Sequence, residues 1–365
     1  MIHAASLVLA VGLSLQPAEP VQPSPPAGTP AATPADRAAP PFGERWTTRV
    51  DPRLMGQALG FYEARLALLT RIAREFPELA NAANAARSRL AAHYGPAAAA
   101  VEQELARRDA SFREDWARFK REQLQQQTDK APLTAESARA GLESGGFAPE
   151  RQMLRHMAML NAWHPAFRAN HAAEIEQGFG RKVGIGLPAD DANWLAVPVP
   201  SSWASITPKD APPTAFMLAG NVGLGPAVVR IETHPYDGPA EPSPAELLSL
   251  LGRLSTTGEG EKVIGTETAR VAGDLTAVRT IEATKTVAEG RTAYSRGTLS
   301  VFVRGKVAIV VYMSVFDDVY ADETAPTADQ VLRTQESHRA VFDWMRAGMV
   351  IEPKPARPAG EPARP

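Results

Sequence analysis

The sequence predicts an α+β fold, in which an N-terminal α-helical bundle precedes an antiparallel β-sheet that is covered by helices. Over residues 51–180, apolar side chains recur at the spacing of one helix face. From about Lys182 onwards, short runs rich in β-branched residues alternate with turn-forming residues. This change of period predicts two domains, an α-helical bundle over residues 48–180 and an α+β domain over residues 183–350.

Proline, glycine and hydroxyl residues mark the predicted helix ends. Tyr94-Gly95 predicts the end of one helix and Pro96 the start of the next, because proline lacks the N–H that a helix interior needs. Thr134 is the predicted N-cap of a later helix. The helices expected in the bundle are Leu54–Phe76, Glu78–His93, one from Pro96 to about Gln127, Ala135–Glu143, Pro149–Leu160 and Pro165–Gln177.

The second domain is expected to alternate strands with two helices. The glycine-rich run "GNVGLG" is interpreted as a turn, since a β-rich segment follows it where a phosphate-binding loop would lead into a helix. Ser243 precedes the first helix, Pro244–Leu254, and the second is Ala328–Met345. The predicted strands are Trp194–Val199, Ala215–Leu218, Ala227–Thr233, Lys262–Thr266, Leu275–Thr286, Arg291–Val303 and Val307–Phe316.

The most apolar stretch, Val307–Phe316, is predicted to be a central strand. It is half as long as a membrane-spanning helix, which needs about 20 residues. Arg304-Gly305 before it reads as a hairpin turn. Both of its alternating faces are apolar, which is typical of a strand covered on both sides.

The order of elements from Val183 to Met349 resembles the PsbP-like family, whose fold is shared with the Mog family of Ran-binding proteins. The resembling segments are "VPVPSSW", the helix "AELLSLLGRL", the meander "DLTAVRTIEATKT", "GRTAYSRGTLSVFVRGK" and "VAIVVYMSVF", and the closing helix "VLRTQESHRAVFDWMRAG". The resemblance covers about half of the chain. It implies an antiparallel sheet covered by helices, in proteins that mostly bind other proteins, and it supplies no functional residue.

Composition and termini predict a periplasmic or secreted protein. An apolar run within residues 1–18 has the length of a signal peptide, and a Pro/Ala-rich linker follows over 19–47. A second Pro-rich tail spans 353–365. The net charge of −2 gives no reason to expect nucleic acid as a partner. The absence of cysteine excludes disulfides, thiolate metal sites and a cysteine nucleophile.

The candidate binding surface lies on the meander. Its residues are expected on adjacent strands, and tyrosine and arginine are favoured at protein interfaces. An ordinary polar sheet face, or one covered by the helical half, is the alternative. The residues are Glu282, Tyr294, Arg296, Thr298 and Tyr312.

Other polar groups predict no catalytic, metal or cofactor site. His156, His164 and His171 have a spacing that would suit a metal on one helix, but Pro165 interrupts that helix. The acidic run Asp317, Asp318, Asp322 and Glu323 lacks the EF-hand pattern and is interpreted as a solvated loop. No G-x-S-x-G motif occurs.

These observations favour an exported, non-catalytic binding or accessory protein of the bacterial cell envelope. Its partner would be another envelope or secreted protein. A hydrolase with a site at the junction of the two domains is the alternative. Carriage of a small ligand inside the β domain is a third hypothesis.

Overall fold

The computed structural model describes residues 42–149, 155–188, 190–207, 210–255, 260–287, 291–320 and 324–355. These form two compact units. An α-helical unit contains the described residues of 49–169, and an α+β unit combines residues 42–48 with those from Asn170 onwards. The predicted signal segment, most of the linker before Phe42 and most of the C-terminal tail lie outside the described residues. Within the described ranges, no helix has the length and apolar composition needed to cross a membrane.

The α-helical unit is built around its first two long helices. Asp51 caps the first by accepting a hydrogen bond from the Arg53 N–H at 2.8 Å. Both long helices pack against the sixth helix. The helices are α1 (Pro52–Glu75), α2 (Ala80–Arg108), α3 (Phe112–Phe119), α4 (Gln125–Lys130), α5 (Ala135–Glu143), α6 (Arg155–Trp163) and α7 (Pro165–Ala169).

The prediction of a helix break at Pro96 is wrong. Helix α2 continues through this proline for its full length. Proline removes the hydrogen bond to the carbonyl of Ala92, and both residues are exposed, which lowers the cost of that loss because the carbonyl is on the solvent side of the helix. The real break comes at Asp109, whose carboxylate accepts the Ser111 N–H at 2.9 Å and so competes with the helical pattern.

The capping prediction for Thr134 is confirmed. Thr134 accepts the Ser137 N–H at 3.1 Å in a capping box at the start of α5. Ser243 forms the same arrangement with Glu246 at the start of the helix that follows it.

The described part of the α+β unit contains two antiparallel sheets, and its helices of five or more residues are α8 (Ala172–Glu176), α9 (Pro244–Leu254) and α10 (Ala328–Ala347). The three-stranded sheet has the order β1-β2-β10, and the seven-stranded sheet has the order β3-β4-β5-β9-β8-β7-β6. The strands are β1 (Gly180–Leu187), β2 (Asp190–Pro200), β3 (Ala204–Ser205), β4 (Ala215–Ala219), β5 (Ala227–Pro235), β6 (Glu261–Val271), β7 (Asp274–Val287), β8 (Arg291–Arg304), β9 (Val307–Tyr320) and β10 (Val350–Pro353).

The prediction of a central strand is confirmed. Strand β9 lies between β5 and β8, in the middle of the larger sheet. One of its faces, which includes Ile309 and Val311, belongs to a core shared with α10 and the smaller sheet. The opposite face, which includes Ala308 and Val310, packs against Leu247 and Leu251 of α9.

The acidic run after the predicted strand is not a solvated loop over its described part. Strand β9 continues to Tyr320, and Asp317 is only 4% exposed. Its Oδ2 accepts the Gly43 N–H at 3.1 Å and lies 3.7 Å from the Arg45 Nε. Asp322 and Glu323 lie outside the described residues.

The N-terminal segment 42–48 is therefore part of the α+β unit. Phe42 is buried in the same core as β9 and α10. Gly43 has a φ of +88°, and a Cβ there would come within 3.0 Å of Thr334 on α10. Glycine is needed at this position for both reasons.

Candidate functional site

Four of the five predicted binding residues lie on one face of the larger sheet. The register pairs Glu282 with Arg296 and Thr298 with Met313. Side chains alternate between faces along a strand, so Tyr294, Arg296 and Thr298 share the face of Glu282. Tyr312 is paired with Leu299 and therefore lies on the opposite face.

Arg296 is held by two partners on this face. It forms an ion pair with Glu282, and its Nε donates to the Gln335 Oε1 of α10 at 2.9 Å. Tyr294 is half-buried and packs against the core beneath α10. The polar face is thus partly covered by the closing helix of its own domain, and it continues into a groove beside that helix.

The groove has a volume of about 370 Å³ and lies between α10 and the strands β6 to β9. Its floor combines hydroxyl and apolar side chains, including Thr280, Thr298, Ser300 and Met313. Leu332 and Gln335 of α10 form one wall, and Glu267 of β6 lies on the opposite rim. Gln335 connects the groove to the Arg296–Glu282 pair.

The deepest charged group in the groove is Arg346. Its guanidinium bonds the Asp274 carboxylate at 3.1 Å and lies 3.4 Å from the centre of the Phe302 ring. Burial lowers the pKa of Arg346 to about 10 against the opposing effect of Asp274. Arg346 therefore stays charged near neutral pH and ties α10 to the start of β7.

Tyr312 lines a second, smaller cavity of about 200 Å³ on the α9 side of the sheet. Burial raises the pKa of its phenol. The rim of this cavity carries Arg230 and Glu232, which form an ion pair with each other. The sequence prediction therefore combined residues from the two opposite faces of the sheet.

A buried carboxylate that the predicted site did not include lies at Glu174 of α8. It is 4% exposed, and it accepts the Ser202 N–H at 2.7 Å and the Ser202 hydroxyl at 2.6 Å. Burial raises the pKa of Glu174 to about 7, and the serine hydrogen bonds oppose this rise. The contact fixes α8 to the turn after β2. The "VPSSW" segment could have indicated a polar turn but not its partner.

The buried histidine His338 lies beside a different serine, Ser337. Its Nδ1 lies 2.9 Å from the Thr334 carbonyl oxygen and 3.2 Å from the Ser337 hydroxyl. Burial lowers the pKa of His338 to about 3, and the neighbouring His171, whose ring stacks on it at 3.8 Å, contributes. The histidine and the carboxylate of Glu174 engage different serines, which is not the arrangement of a catalytic triad.

The three histidines considered for metal binding each stack on a ring. His156 lies 5.5 Å from Phe61, and His164 lies 4.3 Å from Phe167. His171 stacks on His338, as described above. In the described ranges, no group of three or more His, Cys, Asp or Glu side chains is arranged to hold a metal ion.

No model of a known protein family and no curated protein matches the chain. Several solved structures are similar to about half of it, among them the following three. LpqN of Mycobacterium tuberculosis, which is involved in cell envelope biogenesis, has a TM-score of 0.27 at 14% identity over 50% of this chain and 98% of its own. The cyanobacterial PsbP of Synechocystis has a TM-score of 0.28 at 10% identity over 47% of this chain and 92% of its own.

The Ran-binding protein Mog1p of Saccharomyces cerevisiae has a TM-score of 0.28 at 11% identity over 47% of this chain and 95% of its own. PsbP and Mog1p are of the two families that the sequence resembles.

Proposed function

We propose that the α+β unit is a non-catalytic protein-binding module and that the groove beside α10 is its binding surface. The observation that carries the proposal is the groove itself, about 370 Å³ of open volume over a floor of mixed hydroxyl and apolar side chains. Such a surface suits a partner segment that contributes both hydrogen bonds and apolar contacts. Thr298 lies in the floor, and Arg296 with Glu282 positions Gln335 on the wall. Tyr312 is not part of this surface.

Binding fits the chemistry of the groove better than catalysis does. Among the described residues that line it there is no histidine, and its two arginines each have a carboxylate partner. The hydroxyls of Thr280, Thr298 and Ser300 thus have no histidine in the lining to activate them as nucleophiles. Each hydroxyl can donate and accept hydrogen bonds, which suits the binding of a polar partner segment.

The place of action in this proposal is the bacterial cell envelope. Residues 1–18 have the composition of a signal peptide, and the Pro/Ala-rich residues after them would provide reach between the point of emergence and the folded units. The partner would then be another envelope or secreted protein.

The proposal is tested by site-specific photo-cross-linking in cells that produce the full chain. Benzoylphenylalanine replaces Arg339, an exposed residue on the groove rim, or Lys306, an exposed residue in the β8–β9 turn. We expect a discrete protein adduct from position 339 and none from position 306. Equal labelling from both positions, or no adduct from position 339, would contradict the proposal.

A further inference from the structure

The fixed charges of the groove indicate which kind of partner it accepts. Arg346 is bound to Asp274 at 3.1 Å, and Arg339 lies 3.7 Å from Asp343 on the same helix. Arg296, next to the groove, is bound to Glu282. Each of these arginines is therefore already bound to a carboxylate of the same unit, and Arg346 shares Asp274 with Arg304, which lies 2.8 Å from the same oxygen.

Two carboxylates of the groove are not balanced in this way. Glu267 on β6 and Glu336 on α10 are both exposed and line the groove from opposite sides, and their side chains have no ion pair or hydrogen bond within the described part of the chain. A carboxylate at the rim of a surface concavity attracts cationic groups of a partner. The surplus charge of the groove is thus negative and lies on both rims.

The rim at β6 is also open. Strand β6 is an edge of the larger sheet and pairs only with β7 among the strands described. Val263 and Ile264 on this strand are 39% and 44% exposed. An edge strand with exposed apolar side chains leaves room for an extended chain to lie alongside the sheet.

We propose that the groove binds an extended segment of a partner protein that carries a lysine or arginine, and that this side chain lies between Glu267 and Glu336. The inference rests on the proposed function, because it names the partner chemistry of the same groove. The apolar and hydroxyl side chains of the floor contact the neighbouring residues of the segment, and the two carboxylates select the basic residue.

The test uses the purified full chain and a fluorescein-labelled peptide, TVTKTVT, with fluorescence polarisation as the readout. Matched peptides carry norleucine or glutamate in place of lysine. The protein variants are Glu267→Gln with Glu336→Gln, and a control of equal charge change, Asp237→Asn with Glu241→Gln. Both control residues are exposed and lie outside the groove, in the loop before α9. All four positions are solvent-exposed, so circular dichroism should show an unchanged fold.

We expect the lysine peptide to bind more tightly than the norleucine peptide and the glutamate peptide to bind least. The groove variant should bind the lysine peptide roughly 3- to 20-fold more weakly than the parent does, as expected for the loss of two exposed ion pairs. Its affinity for the norleucine peptide should equal that of the parent. The control variant should bind all three peptides as the parent protein does. Raising the salt concentration should reduce only the lysine preference.

Equal affinity for the lysine and norleucine peptides, or no effect of the groove variant, would overturn the inference. The inference would also be overturned if the lysine peptide did not bind at protein concentrations up to about 1 mM, which corresponds to a binding free energy weaker than about −4 kcal/mol. In each of these cases an adduct from position 339 would still support a protein-binding groove. Loss of that adduct would instead refute the proposed function.

Discussion

Replacing Glu174 by glutamine should change how the stability of the α+β unit depends on pH. In the folded protein, burial raises the pKa of Glu174 to about 7, whereas its usual value is 4.5. Between these two pH values the folded state keeps the proton and the unfolded state has lost it. The contribution to stability is therefore full below about pH 4.5 and is lost as the pH rises to about 7.

The magnitude follows from the two pKa values. Their separation corresponds to roughly 3 kcal/mol at about 1.36 kcal/mol per pH unit. About 2 kcal/mol of this is lost between about pH 5 and about pH 7.5. Glutamine does not titrate, so the variant Glu174→Gln should lack this loss while all other titrating groups act alike in both proteins. Relative to the parent, the free energy of unfolding of the variant should therefore rise by about 2 kcal/mol over this interval.

The measurement is urea unfolding at several pH values, followed by tryptophan fluorescence. Trp116 and Trp163 of the helical unit are replaced by phenylalanine, so that the remaining tryptophans report on the α+β unit. Glu176→Gln is the matched control, because Glu176 is exposed on the same short helix. Its stability should follow the parent at every pH. If Glu174→Gln also followed the parent within about 0.5 kcal/mol, the raised pKa assigned to Glu174 would be refuted.

Three further outcomes are expected. As the pH falls from about 7.5 to about 5, the free energy of unfolding of His338→Phe should rise by about 2 kcal/mol relative to the parent. The reason is that the pKa of His338 is about 3 in the folded protein, whereas its usual value is 6.5. The stability that the neutral buried histidine contributes is therefore lost as the pH falls below 6.5. Leu247→Ala, at a side chain with no exposure, should cost about 2–5 kcal/mol in urea unfolding, whereas Leu248→Ala, at 38% exposure on the same helix, should cost less than about 0.5 kcal/mol. Phe42→Ala should lower the melting temperature of the α+β unit by calorimetry, and an equal melting temperature for Phe42→Ala and for Thr48→Ala, at an exposed position, would show that Phe42 does not stabilise the core.

The elements that depend on local patterns could be predicted from the sequence. Thr134 and Ser243 cap their helices because each is followed by a residue whose side chain can bond back to the cap. The alternation in β8 placed Arg296 and Thr298 on one face, and the apolar faces of β9 indicated a covered strand. Tyr312 could have been separated from them as well. A two-residue turn at Gly305-Lys306 pairs Arg304 with Val307 and hence Leu299 with Tyr312.

Features that depend on distant contacts could not be predicted in this way. Glu174 gains its raised pKa from a serine turn that is remote in sequence, and nothing near Glu174 indicates its burial. A proline usually ends or kinks a helix. Here Tyr94 and Ala97, which flank Pro96 in the chain, are both buried, and their packing keeps the helix continuous. Gln335 holds Arg296 only because α10 lies over β8.

The union of residues 42–48 with the chain from Asn170 onwards has a consequence for synthesis on the ribosome. Gly43 and its partner Asp317 are 274 residues apart. At roughly 5–20 residues per second, the acceptor emerges some 15–55 s after the donor. The helices of residues 49–169 are complete well before then, whereas Phe42 must wait for the last strands to be made. The helical unit is thus expected to fold first on the nascent chain, and the α+β unit to close only near the end of translation.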